Sequence, residues 1–293
     1  MFQIGYNTNG LGSHRLHDAL ELISSLGYEA VALTPDVGVL DPYDLRPGEV
    51  DAVRARLEDL GLDVALETGA RFLLDPRRKH RPTLLEPDAA DRERRVDFLR
   101  RCVDLAVALG AGVVSLWAGA VPDGEAGTLD EEPGHGLGER LVEGLARVLE
   151  HAEGSGVRVA FEPEPGMFVE RPRGFSALLE RGGGALDALG LTLDVGHCVV
   201  TGDEPVSDVV ARLADRLVHV HLDDCPRGRH EHLPFGAGDL DLPDALGGLL
   251  QVGFQGIGAV ELSRDGHRAP EAARDAMAAI RSALTALEPP SGA

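Results

Sequence analysis

The stretch LTLDVGHC, Leu191 to Cys198, decides how the chain is read. Leu191, Thr192 and Leu193 have the composition of a short buried strand that ends on Asp194, and a flexible Val-Gly step then leads to His197. A carboxylate and an imidazole held at the C-terminal end of a rigid strand suit metal chelation or proton transfer. Other runs end alike. VRVAFEPEPG closes its strand on Glu162, RLVHVHLDD carries His219 and His221 near its end, and GIGAVELS closes on Glu261.

Outward from these four endings, strand and helix patterns alternate along nearly the whole chain. Strands are predicted at 2–6, 28–34, 62–68, 110–117, 156–162, 191–194, 217–222 and 256–262. Helices are predicted at 13–26, 47–60, 91–109, 137–153, from 174 onward, 206–214, 242–250 and 268–287. Two excursions rich in Gly, Pro and polar residues, 69–90 and 118–136, both follow strands and are expected to lie over one mouth. Eight strands alternating with eight helices describe an α/β protein with a (β/α)8 TIM barrel, one domain over residues 1–287 with a C-terminal tail at 288–293. An open Rossmann-like sheet fits less well, because no early strand feeds a G-x-G-x-x-G turn.

Composition narrows the function. The chain has 293 residues, enough for one large barrel, and 43% hydrophobic content excludes wholesale disorder. Its 28 basic and 49 acidic residues leave a net charge of -21, which repels nucleic acid and anionic membranes. The local cation cluster of Arg71, Arg77, Arg78, Lys79, His80 and Arg81 reads either as a solvated loop or as an anion- or substrate-binding lid. Cysteines at 102, 198 and 225 lack disulfide-framework or zinc-ribbon spacing, so a reducing, cytoplasmic setting is expected. No signal peptide or membrane span is expected either.

In such a barrel the strand C-termini converge on one face, so Glu162, Asp194, His221 and Glu261 can meet despite their separation in sequence. Three carboxylates and one imidazole favour one divalent ion, Mn first, with Mg, Co or Zn admissible. His197 reads as a substrate-contacting wall residue or as a core histidine satisfied by a carbonyl. Glu67 and Trp117, at the ends of strands three and four, can meet substrate hydroxyls and a sugar face, or serve a salt bridge and core packing. His219 shares a face with His221, and Asp223 or Asp224 can orient a histidine.

The ordered set FEPEPG, LDVGHC, VHVHLDD, HLPFGAGDLD and AVELS resembles the xylose-isomerase-like TIM-barrel superfamily, in particular its sugar phosphate isomerase/epimerase branch. That resemblance implies a metal set of Glu162, Asp194, His221 and Glu261, a substrate contact from His197, and Glu162 and Glu261 as the proton-transfer pair. It further implies an isomerase or epimerase of a small sugar, sugar phosphate or related polyhydroxylated carbonyl compound, acting through an enediolate. A small polyol or sugar is then the partner, and homo-oligomerisation is compatible with this reading.

Two other outcomes share the same chemical start. Loss of a β-hydroxyl makes the enzyme a dehydratase of an inosose or a dehydroshikimate-like substrate, and a barrel without turnover is a metabolite-binding protein. The HLDD run with His230, Glu231, His232 and FGAG is also similar to the later metal motifs of endonuclease IV, with His230 where that family has Asp. Its earlier metal histidines have no counterpart here, since strands three and four end on Glu67 and Trp117. His230 and His232 are therefore expected to bind a substrate phosphate or carboxylate or a second metal, or to lie in a solvated loop.

Overall fold

Period-two alternation explains why these strands form a barrel whose inside and outside differ so sharply. In this computed structural model, which describes residues 2–129 and 136–287, the strands are β1 (Gln3–Asn7), β2 (Ala30–Leu33), β3 (Asp63–Glu67) and β4 (Val113–Leu116), followed by β5 (Arg158–Phe161), β6 (Gly190–Asp194), β7 (Leu217–Leu222) and β8 (Ile257–Val260). Each pairs in parallel with the next, and β8 pairs with β1, which closes the barrel. Val31 and Leu33, Val64 and Leu66, Leu191 and Leu193, and Val220 and Leu222 join the apolar layer against the helices. Ala30, Ala32, Ala65, Ile257 and Ala259 form a separate small cluster that fills the lower lumen.

The same alternation continues upward into polar residues. Two residues beyond Ala65 stands Glu67; two beyond Ala160 stands Glu162; two beyond Ala259 stands Glu261. On β6 and β7 the inward series is Thr192 then Asp194, and His219 then His221, with Asp194 and His221 in register. Thr192 Oγ1 donates to Ser115 Oγ at 2.9 Å, a polar tie below this layer. The lumen is thus apolar at its base and ionisable at its C-terminal mouth.

The helices are α1 (Leu16–Ser25), α2 (Glu49–Leu60), α3 (Ala89–Leu109), α4 (Leu137–Ala152), α5 (Pro172–Gly182), α6 (Val195–Thr201), α7 (Val206–Leu213), α8 (Leu242–Gln251) and α9 (Ala269–Leu287). Eight match the sequence expectation to within a few residues; α6 does not. The Val-Gly step after Asp194 is not a flexible link but the first turn of α6, and Asp194 is its N-cap, accepting from the His197 backbone N–H at 2.7 Å. One aspartate therefore starts the helix and lines the mouth.

Of the two excursions, the first lines the cavity as expected, and the described part of the second does not. Residues 69–88 supply cavity wall, whereas no described residue of 118–129 does so; residues 130–135 lie outside the described residues, as does the expected tail 288–293. Leu129 N–H donates to the Phe168 carbonyl and Phe168 N–H to Gly119, so the second excursion is held against the loop after β5. Among the described residues, no helix is long and apolar enough to cross a membrane.

Gly196 shows how tightly α6 seats. Alanine would favour a helix at that position by about 1 kcal/mol, but its Cβ would press on Asp223 Oδ1 and stand 2.8 Å from Cys225 Sγ. Overpacking of this kind costs ~1–3 kcal/mol, so Gly196→Ala is expected to lower the denaturation midpoint. Gly112→Ala, whose Cβ would meet nothing within 4 Å, is the matched control and is expected to leave the midpoint within ~1 kcal/mol of wild type.

Candidate active site

His221 is the centre of the mouth. Its Nδ1 lies 3.0 Å from Glu162 Oε1, 3.0 Å from Glu261 Oε2 and 3.8 Å from Asp194 Oδ2. On its other edge Nε2 donates to Glu67 Oε1 at 3.0 Å, which directs Nδ1 to the three carboxylates. His219 Nε2 reaches the same Glu67 oxygen at 3.1 Å. The donor atoms of Glu162, Asp194, His221 and Glu261 all lie within 4.8 Å of one another. Sequence reasoning gave Glu67 to substrate hydroxyls or a salt bridge; it pairs with His219 and His221, which makes it the group that orients His221, and it also lines the cavity.

Electrostatics follow from this packing. Burial opposes charge on His221, yet the carboxylates of Glu162, Glu67 and Glu261 hold its proton affinity well above the ordinary histidine range. Burial alone would raise the Glu67 carboxyl, but His221 and His219 outweigh it and bring it down to about 2. Burial raises Glu162, and it raises Asp194 strongly with help from the Asp223 carboxylate. Burial also acts on Glu261, where His221, His232 and His197 overcome it and lower the carboxyl.

A second histidine group adjoins the first. His197 Nδ1 donates to the Pro163 carbonyl at 3.2 Å, while its Nε2 meets His230 Nε2 at 2.9 Å, and His230 Nε2 meets His232 Nε2 at 3.3 Å. Asp223 accepts from His232 Nδ1 at 2.5 Å. Asp224 instead accepts the backbone N–H groups of Gly236, Gly238 and Leu240, which builds the FGAGDL turn that carries the loop over the barrel. His230 and His232 are half-buried loop residues that line the cavity, and His197 also lines it while buried and tied to the Pro163 carbonyl.

The cavity above the mouth has a volume of about 840 Å³. Glu67, Trp117, Glu162, His197, His221, His230, His232 and Glu261 all line it; Asp194, at 1% exposure, sits behind them. Of the cation cluster, Arg71, Lys79 and His80 line the cavity, while Arg78 pairs with Asp75 and Arg81 with Glu86. Cys198 is buried, and burial raises its thiol well above the usual range, so it is a packing residue. Sequence reading missed Asn9, whose Nδ2 donates to Glu261 Oε1 at 2.6 Å. Its signal was the polar Asn-Thr-Asn run ending strand one, which looks like any turn until the barrel closes β1 on β8.

The chain belongs to the xylose isomerase-like TIM barrel family, whose model matches residues 20–283. It is 24% identical over 271 residues to the fructoselysine 3-epimerase of Shigella flexneri, covering 89% of this chain and 88% of that protein. It is also 24% identical over 174 residues to the uncharacterized protein MJ1311 of Methanocaldococcus jannaschii, covering 57% of this chain and 56% of that one. In fold it is similar to a D-allulose 3-epimerase from Methylomonas sp., with TM-score 0.75 and 17% identity over 97% of this chain and 98% of the other.

The donor set fits a divalent cation. Asp194 Oδ2 is buried with no hydrogen-bond partner among the described residues, and three carboxylates surround a single imidazole nitrogen. Removing the support behind that imidazole tests the arrangement. Glu67→Gln is expected to weaken divalent-ion affinity by ~10–100-fold, read by competition with a chelating dye. Because the folded Glu67 carboxyl is depressed to about 2 from 4.5, its stabilising contribution is complete above 4.5 and is lost as pH falls toward 2. Metal-free Glu67→Gln should therefore lose less stability than wild type across that window in denaturant titrations.

Proposed function

We propose that this protein is a metal-dependent epimerase or isomerase of a small polyhydroxylated carbonyl compound, housed in one barrel domain over residues 1–287. The observation that carries this reading is the pairing of Glu162 and Glu261 on His221 Nδ1, each at 3.0 Å, with their proton affinities displaced in opposite directions. Two carboxylates so arranged suit one proton acceptor and one proton donor. The likeness to a fructoselysine 3-epimerase and to a D-allulose 3-epimerase supports the same reading.

Glu162, Asp194, His221 and Glu261 would hold the ion, and the mixed carboxylate and imidazole set suits Mn first, with Mg, Co or Zn admissible. When bound, such an ion supplies Lewis acidity that makes the proton beside a carbonyl removable. Ionised Glu261, steadied by Asn9, takes that proton, and Glu162 returns one. Return to the same carbon from the opposite face inverts its configuration; delivery instead to the former carbonyl carbon, as the carbonyl moves to its neighbour, exchanges aldose and ketose. His197, its Nδ1 tied to Pro163, keeps Nε2 toward the cavity to orient a substrate oxygen. Cytoplasmic residence belongs to this reading, supported by three free, buried cysteines.

A dehydratase reading has one observation in its favour. Glu164 lines the cavity, and burial together with Glu162 and Glu261 pushes its carboxyl up to about 8, where it can protonate a departing hydroxyl. Incubating metal-loaded protein with ketoses and inososes in heavy water, followed by NMR, separates the two. Deuterium at the carbonyl-adjacent carbon with retained hydroxyls is the expected result, and water loss would move the assignment to dehydration. Glu261→Gln is expected to cut exchange by ~10²-fold or more while the folded protein still binds metal in part. Near wild-type exchange by that variant would refute the two-carboxylate mechanism. Asp194→Ala should lose most of its metal on elemental analysis, and unchanged occupancy would give Asp194 only its capping role.

A further inference from the structure

The cavity is polarised. Its floor is carboxylate, from Glu67, Glu162 and Glu261, whereas its rim carries cations from the loops after β3 and β8. Among the described residues, only three of the 28 lysines and arginines line it: Arg71, Lys79 and Arg264. Arg71 is paired with Asp36 at 3.2 Å and Arg264 with Glu231 at 3.1 Å. Lys79 has no ion-pair partner among the described residues, and it is the only lysine of the chain. In a protein of net charge -21 an uncompensated ammonium at the mouth is a local exception to the field around it.

Backbone geometry fixes the segment that carries Lys79, whose side chain is exposed at the mouth. The loop bends through left-handed conformations at Ala70, Arg71 and His80, with φ of 57°, 32° and 65°. Non-glycine residues adopt such angles at a free-energy cost and persist in them where surrounding contacts enforce it. Here His80 N–H donates to the Arg71 carbonyl at 2.6 Å, and the His80 ring stands edge-on to Trp117 with centroids 5.2 Å apart. The loop is therefore pinched shut at its base, with Lys79 beside the pinch. A cavity of about 840 Å³ also lies in the upper part of the ~300–1,000 Å³ range that encloses drug-sized ligands, more room than a bare monosaccharide fills.

We infer that the substrate is a ketose bearing a terminal anionic substituent, a phosphate ester or a carboxylate, whose charge Lys79 binds at the mouth while the carbonyl end reaches the carboxylate floor. This rests on the epimerase reading for the floor and on Lys79 for the rim. Carboxylate floor and cationic rim favour such a molecule with its anion at the rim, because the floor carries Glu67, Glu162, Asp194 and Glu261, whose charge one divalent ion would offset only in part.

The single lysine makes the test direct. Reductive methylation with carbon-13 formaldehyde keeps the positive charge and places one ε-dimethylamine resonance in the protein, separate from the α-amine signal. That protein is titrated with a neutral ketose, its terminal phosphate ester and the corresponding terminal carboxylate, and exchange in heavy water is recorded with each on unlabelled protein. The Lys79 resonance is expected to shift on saturation with a charged member, which should bind at least roughly tenfold tighter than the neutral ketose, in keeping with a charge-assisted contact. Which charged member binds tighter distinguishes phosphate from carboxylate. In Lys79→Met the preference for charged over neutral sugar should collapse. Equal affinity for charged and neutral members, an unmoved resonance, or no binding by any member overturns the inference. Solvent exchange from a neutral ketose under those outcomes would leave the epimerase reading standing, whereas charged members that bind and shift Lys79 without exchange would remove that reading and keep the anion site.

Discussion

Three carboxylates turned toward one imidazole nitrogen are the constraint on which the mouth of this barrel depends. Like charges buried together repel, and burial disfavours each of them further. Here the His221 Nδ1 edge faces Glu162, Glu261 and Asp194 while Glu67 holds the opposite edge. The ring thereby acts as a hinge pin between two acidic groups. Its orientation is decided from behind, by Glu67, as well as by the groups it faces.

Local structure serves the same constraint. Asp194 gives one carboxylate oxygen to the first turn of α6 and leaves the other, buried, toward the cluster. Helix initiation and site assembly are therefore coupled through a single side chain. Gly196 allows α6 to approach Asp223, which fixes His232, which in turn meets His230 and so His197. Packing and polar contacts in this quarter of the barrel are one connected network, so a change in helix seating reaches the wall of the cavity.

Much of this was legible in the chain. Strand alternation, the eight-fold repetition and the polar strand endings announced a parallel barrel, and with it that Glu162, Asp194, His221 and Glu261 would share a face. Less legible was the job of Glu67, because a lone acid at a strand end looks the same whether it meets substrate, solvent or a histidine 154 residues away. Asn9 was hidden for a similar reason: its partner Glu261 stands 252 residues later, across the β1–β8 seam. Among the described residues of the second long excursion, 118–129, none lines the cavity, because a loop's length says that it can reach the mouth, not that it does.

Sequence alone determined the periodicities, and those settle which residues face the lumen, since alternate side chains of a strand must lie on opposite sides of the sheet. It also determined the inventory of charges, including the single lysine. Tertiary structure alone decided which of those charges meet. Barrel closure brings β1 to β8 and sets the register of β6 on β7, so Asn9 finds Glu261 and Asp194 stands beside His221. It decided too that, among the described residues, Arg71 and Arg264 are neutralised while Lys79 is not, because ion pairing depends on distances of a few ångströms that no linear spacing specifies.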